Sequence, residues 1–349
     1  MTKKRFSLFA IVMAAFVLLV GCKKEHKTTE TSAKDYYNSV QSKVPYSNIY
    51  VREKGCKGEN GSSSILVFSS MDALIATTVD LDSQVEALDS IFYARNSNLS
   101  DEERADLQET INYDASTPIS TFNTFLQFNS LFQEIKGQED VWLANDSLDL
   151  SNDPDNHFIL EESLRAVLNT DCEVQIADTI YKLVPTGYYS IPVSQSRNDR
   201  ALVELAGSIY FHGDNDCDEC NRGDCFSGRY IWEYVKSYDK KKMIKCSLGH
   251  LTYFRRYVTA SVTNYKKRNW GIGWKKYSTY CEVKVYGKVS GDPGTCSTFV
   301  YFNPYNVKKT SPSAKSLTHK IYVPTKTSSG WVKGYYYGAD GISWDKELD

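Results

Sequence analysis

The densest chemistry in the chain lies at residues 212–225, HGDNDCDECNRGDC, where one His, three Cys and five acidic side chains share fourteen positions. His212, Cys217, Cys220 and Cys225, with Cys246 downstream, offer four or five zinc ligands. Asp214, Asp216 and Asp218 offer the first three oxygen positions of a calcium loop. The same thiols suit a redox centre or a disulfide-stapled turn. Compartment decides among these readings, so the N-terminus comes next.

The chain starts MTKKRFSLFAIVMAAFVLLVGC, with Lys3, Lys4 and Arg5 ahead of the apolar stretch Phe6 to Val20. That stretch is short for a membrane span and suits a secretory signal. Leu19-Val20-Gly21-Cys22 resembles the bacterial lipobox. The resemblance implies a signal peptide over residues 1–21 and a Cys22 that carries palmitate-type acyl chains. By analogy with lipoprotein sorting, Lys23 in place of Asp implies the outer membrane and leaves the periplasmic or surface face undecided. Residues 23–34, KKEHKTTETSAK, lack large apolar side chains, and residues 22–45 read as a lipidated flexible tether.

Export reorders the options for the cysteine cluster. Beyond Cys22 there are eight cysteines: Cys56, Cys172, Cys217, Cys220, Cys225, Cys246, Cys281 and Cys296. An even set in an oxidising compartment reads first as disulfide candidates. Asp216, Asp218 and Glu219 raise neighbouring thiol pKa values, which opposes redox catalysis. A calcium loop starting at Asp214 has Glu219 where Gly is needed and Cys225 where Glu is needed, so it is not an EF-hand. The expected order is a stapled loop, then low-specificity calcium at Asp214, Asp216 and Asp218, then zinc. No cofactor is required.

Charge divides the chain. Residues 23–172 hold 12 Lys and Arg against 26 Asp and Glu, net −14, whereas residues 173–349 hold 26 against 17, net +9. Nineteen of 25 Tyr and five of six Trp also lie after residue 172. The expected organisation is an acidic, mainly helical module over 46–172, a strand and linker over 173–200, and a basic, aromatic-rich β module over 201–349.

In the acidic module, SILVFS at 64–69 reads as a strand. Val85, Leu88, Ile91 and Phe92 share a helical face. Ser100-Asp-Glu-Glu103 is a capping box. Phe122, Phe125, Leu126, Asn129, Phe132 and Ile135 predict one helix over 119–135, ended or bent at Gly137. Asp153-Pro154 predicts a helix start running to Asn169. The stretch LDLSNDPDNHFILEESLRAVLNTDCEVQIADTIYKL resembles a loosely defined family of uncharacterised Bacteroidetes lipoproteins. The likeness lies in Asp153-Pro154, Leu168-Asn169, the strand Glu173 to Ile176 and Thr179 to Lys182, and spans roughly 64–190. It implies export and a helical module joined to a strand-rich one, and it supplies no catalytic residues.

The later half alternates at period two. Cys281, Val283 and Val285 face one way, and Glu282, Lys284 and Tyr286 the other. Several short strands with turn spacing predict an antiparallel sandwich or open barrel, and an α+β fold overall. Residues 240–288 carry 13 Lys and Arg and one acid, Glu282. The candidate binding surface there is Arg255, Arg256, Lys266, Lys267, Arg268, Trp270, Trp274, Lys275 and Lys276. Three uses compete: a solvated sheet face, docking against the acidic half, or recognition of a glycan or polyanion. Nucleic acid is not expected of an exported chain.

Among nucleophile and metal motifs, G-x-S-x-G, H-E-x-x-H and the P-loop are absent. The function expected is a cell-envelope lipoprotein acting as a non-enzymatic binding or adhesion module for a glycan, polyanion or protein. The alternatives are an envelope hydrolase on glycan or peptide and a structural subunit of a surface assembly.

Overall fold

The computed structural model describes residues 33–40, 42–53, 64–185, 187–195, 210–213, 230–237, 240–252, 254, 256–268, 272–290, 299–302, 308–322, 330–338 and 341–348. The signal stretch, Cys22, Cys56, the cluster from Asp214 to Cys225, Arg255, Trp270 and Cys296 lie outside these residues. Among the described residues no helix is long and apolar enough to cross a membrane.

The helical module starts earlier than expected. Ala33–Tyr37 (α1) lies inside the stretch 22–45 read as tether, and Tyr36 is buried, its ring 5.2 Å from that of Phe92. Tyr50–Glu53 (β1) pairs antiparallel with Ser64–Phe68 (β2), an apolar run with four of five residues buried. Met71–Arg95 (α2) follows, capped by Ser70, whose hydroxyl accepts from Ala73 N at 3.1 Å. Its buried Leu74, Leu81, Leu88 and Phe92 keep to one face. Asp101–Thr110 (α3) opens on the expected capping box: Glu103 N donates to Ser100 Oγ at 3.3 Å and Ser100 N donates to Glu103 Oε2 at 2.8 Å.

The single helix predicted over 119–135 is two helices, Thr117–Leu126 (α4) and Leu131–Leu143 (α5). Gln127 turns left-handed at φ 52, and a second capping box, Ser130 with Gln133, restarts the helix. Both helices pack on one core, so apolar spacing runs across the break and conceals it. Gly137 does not end α5. Asp153-Pro154 opens a single turn and no helix: Asp155 N donates to Asp153 Oδ1 at 2.8 Å and Asn156 N to Asp153 O at 3.0 Å, and the next helix is Glu162–Val167 (α6).

Glu173–Ile176 (β3), Thr179–Val184 (β4), Gly187–Pro192 (β5) and Tyr210–Gly213 (β6) complete a six-stranded sheet in the order β1 to β6. Among the described residues only β2 and β3 pair in parallel, joined by the helical segment as a crossover. Leu66, Phe68, Val174, Ile176 and Leu183 from the sheet meet Leu74, Leu81, Ile119, Phe122, Phe132 and Leu164 from the helices in one core.

The later half is a sandwich of two antiparallel sheets. In the first, Tyr230–Lys236 (β7), Lys242–Thr252 (β8) and Arg256–Lys267 (β9) lie in order, and Trp274–Lys276 (β10) and Ser316–Tyr322 (β14) both pair with β9. In the second, Thr279–Ser290 (β11) pairs with Gly330–Gly338 (β15), which pairs with Ile342–Leu348 (β16). Phe299–Phe302 (β12) and Lys308–Ala314 (β13) also pair with β11. Ile244, Cys246, Leu248, Val258, Ala260 and Val262 interdigitate with Cys281, Val283, Val285 and Tyr336. The expected α+β order, helices then antiparallel sheet, is the order found, and its second half is a sandwich.

Candidate functional site

The hairpin from β9 to β10 folds onto the helical module. Gly273, at φ +99, brings its backbone against α5 so closely that a Cβ would stand 2.5 Å from the Leu143 carbonyl oxygen. This approach seats Trp274 at 4% exposure among Trp142, Leu143, Met243 and Tyr265, with Nε1 donating to Asp146 O at 3.3 Å. Trp274 therefore presents no ring for stacking, contrary to its place in the candidate binding surface. The neighbouring cations meet acids of the other half. Lys275 pairs with Glu109, Lys276 Nζ lies 2.8 Å from Glu139 Oε2, and Lys267 Nζ lies 3.7 Å from Asp146. Lys266 lies over the Tyr277 ring at 5.2 Å. Arg268 is exposed and donates from Nε to Trp274 O at 3.3 Å. Arg256 has its backbone in β9.

A buried charge network sits deeper in the same seam. Lys245 Nζ lies 3.0 Å from Asp153 Oδ2 and 2.9 Å from Asp155 Oδ2. Tyr234 OH donates to Asp153 and lies 3.2 Å from Asn156 Oδ1. Arg165 pairs with Asp155 and donates from Nε to Ile159 O at 2.6 Å. Burial alone would push Asp155 up, but Lys245 and Arg165 outweigh it and hold the carboxyl well below the usual range. Burial raises Glu139 and Glu162 instead. Further pairs extend the seam: Lys320 with Asp82 at 2.7 Å and Glu161 at 2.9 Å, and Lys309 with Glu86 at 2.7 Å. Opposite charges in contact favour docking, while desolvation limits the net gain, so the network selects one relative placement of the modules more than it adds stability.

One pair has the residue types of nucleophilic catalysis. Cys172 Sγ lies 3.8 Å from His157 Nε2. Ile159 N donates to His157 Nδ1 at 3.1 Å, so the neutral ring carries its proton on Nε2, facing the sulfur. That tautomer cannot accept the thiol proton. Burial also lowers His157 to about 4 and raises Cys172 to about 11. The arrangement is a buried polar contact and lacks an activated thiolate. Cys172, Cys246 and Cys281 are all buried free thiols. Among the described residues no group of three or more His, Cys, Asp and Glu side chains is placed to hold a metal ion.

The outer face of the second sheet carries a different constellation. Alternation that sends Cys281, Val283 and Val285 inward sends Tyr280, Glu282 and Lys284 outward, as the period-two pattern indicated. Glu282 stands opposite Tyr337, and Lys284 opposite Tyr335. Thr279, Tyr280, Glu282, Tyr335, Tyr337 and Gly341 line an open pocket of about 450 Å³. The rings of Tyr280 and Tyr337 meet edge to face at 5.7 Å. Glu282 receives Lys284 at 2.7 Å, Lys308 at 2.7 Å and the Tyr280 hydroxyl at 2.8 Å. Desolvation would raise Glu282, but these hydrogen bonds outweigh it and hold the carboxyl at about 2. The result is a set of phenol rings around a carboxylate held ionised at neutral pH. The sequence displayed two signals for it: the lone acid in a long basic stretch, and the run Tyr335-Tyr336-Tyr337. The tyrosines of the pocket were not among the expected site residues, because their strands meet only through long-range pairing.

Fold and pocket together define a two-module α+β protein with an open aromatic pocket on a β-sandwich. No family model matches the chain, and no curated protein matches it. Among solved structures, the crystal structure of a DUF4848 family protein from Bacteroides thetaiotaomicron is similar at 13% identity, over 81% of this chain and 96% of that one, with a TM-score of 0.18. A TM-score of that size carries no argument about fold or activity.

Proposed function

We propose that the chain is a cell-envelope lipoprotein that binds a glycan, without catalysis, on the outer face of its β-sandwich. The observation that supports this reading is the pocket formed by Tyr280, Tyr335 and Tyr337 around Glu282. Phenol faces suit the apolar faces of sugars, and an ionised carboxylate accepts sugar hydroxyls. Strand-borne side chains are already ordered, which reduces the cost of binding. A hydrolase of the usual kind needs two carboxyl groups flanking the bond, and among the described residues the pocket lining holds one. A polyanion on the basic hairpin has less support, because Lys267, Lys275 and Lys276 already face carboxylates. Lipid at Cys22 would anchor the protein to the outer membrane, with tether residues before α1 setting its reach.

The test is an oligosaccharide panel on the full chain and on Tyr337→Ala and Tyr280→Ala variants. Binding by the wild type, lost in both variants at unchanged urea midpoint, is the expected result. A wild-type chain that binds no oligosaccharide would refute the reading. Labelled palmitate incorporated by the wild type and not by Cys22→Ser tests the anchor.

A further inference from the structure

On the glycan reading above, we propose that the ligand is an acidic oligosaccharide, whose sugar carboxylate is taken by Lys284 and Lys308 while its ring rests on Tyr337. The pocket is asymmetric across the strands. Lys284 on β11 is directly opposite Lys308 on β13, and on its other side is directly opposite Tyr335 on β15. Cations therefore occupy one side of the site and rings the other. Strands are about 4.8 Å apart, so a sugar seated on a ring of β15 carries its substituents over β11 and β13.

Two ammonium groups share one carboxylate at this place. Lys284 and Lys308 each reach Glu282 at 2.7 Å, and Lys284 also lies 4.8 Å from the centre of the Tyr335 ring. An ammonium has three N–H donors, so each lysine keeps donors beyond the one given to Glu282. Their side chains are 36% and 43% exposed. Lys333, farther along β15, faces Asp345 at 3.2 Å and Glu347 across the strand pair, so the excess of cations is local to Lys284, Lys308 and Glu282. A second carboxylate entering from solvent completes the charge balance. Glu282 is then a positioning residue, holding both cations in register before the ligand arrives. A neutral sugar gains the ring contact and leaves the extra positive charge unanswered.

The full chain is titrated with a galacturonate oligosaccharide, its methyl ester, and a neutral galacto-oligosaccharide of equal length. The acid is expected to bind about tenfold more tightly than the ester, in line with one or two charge-assisted hydrogen bonds, and to lose that advantage in high salt. Lys284→Gln and Lys308→Gln should each reduce the acid's advantage over the ester measured in the same variant, and both together should abolish it. Equal binding of acid and ester, or tighter binding of the neutral forms, overturns this inference and leaves the glycan reading standing. Binding of none of the three by the wild type overturns the inference, and the broader panel then decides the glycan reading separately.

Discussion

Lys245 on β8 lies between Asp153 and Asp155 at 3.0 Å and 2.9 Å, with its own side chain 5% exposed and that of Asp153 fully buried. The three charges come from opposite halves of the chain and close the seam between helices and sandwich. Removing one charge leaves the others buried without a partner. Lys245→Met is therefore expected to cost about 3–5 kcal/mol, more than an exposed pair could. Adding Asp153→Ala should restore part of the loss, with departure from additivity of about 1–3 kcal/mol in a double-mutant cycle. Urea denaturation of the four proteins measures this, and simple additivity would refute the coupling.

Gly273 makes a sharper test of the docked hairpin. It combines a left-handed φ of +99 with a would-be Cβ contact of 2.5 Å to backbone. Gly273→Ala should lower stability by about 2–3 kcal/mol, since neither the strain nor the clash can be relieved by a side-chain rotation. Thermal or urea unfolding reads the change, and an undiminished midpoint would show that the hairpin does not seat on α5.

Asp89 provides a pH signature. Burial raises it to about 6, against a lowering hydrogen bond from Tyr113 at 3.0 Å. An acid with a raised folded pKa contributes stability below its unfolded value, near 3.8, and loses that contribution as pH rises through about 6. Asp89→Asn removes the titration. The variant should match the wild type more nearly at pH 4 and exceed its stability at pH 7.5, by about 2 kcal/mol after discounting for solvent screening at a half-buried site. Urea midpoints of both proteins from pH 4 to 8 check the sign, and an advantage that shrinks with rising pH would contradict it.

The thiols separate the cysteine readings. Cys172, Cys246 and Cys281 are buried, and burial raises Cys172 to about 11 and Cys246 well above its ordinary value. A thiol reagent should leave all three unmodified in native protein and modify all three once the unreduced protein is unfolded. Peptide mapping identifies the sites. Finding these three cysteines oxidised would overturn their assignment as free thiols.

Local physics made part of this legible. The Ser100–Glu103 capping box needs four consecutive residues, and β11 alternation needs six. Both were readable because the interacting groups are near neighbours along the chain. The break at Gln127 was not, because two helices on one core preserve the apolar spacing of a single helix. Asp153-Pro154 carried a helix-start pattern whose cap bond forms, Asp155 N to Asp153 Oδ1, although the chain leaves the turn at once, and the local pattern did not reveal the lysine 92 residues away that takes the other oxygen.

By itself the sequence determined the order of helices and strands, the inward set Cys281, Val283 and Val285, and the separation of acidic from basic halves. These follow from periodicity and composition, which belong to the chain. Only the tertiary structure decided that the basic hairpin spends its cations and Trp274 on the acidic module. It alone also placed Tyr335 and Tyr337 beside Glu282. The physical reason is the same in both cases: a charge or ring acquires its role from the partner across the seam or sheet, and that partner is set by long-range strand pairing and docking.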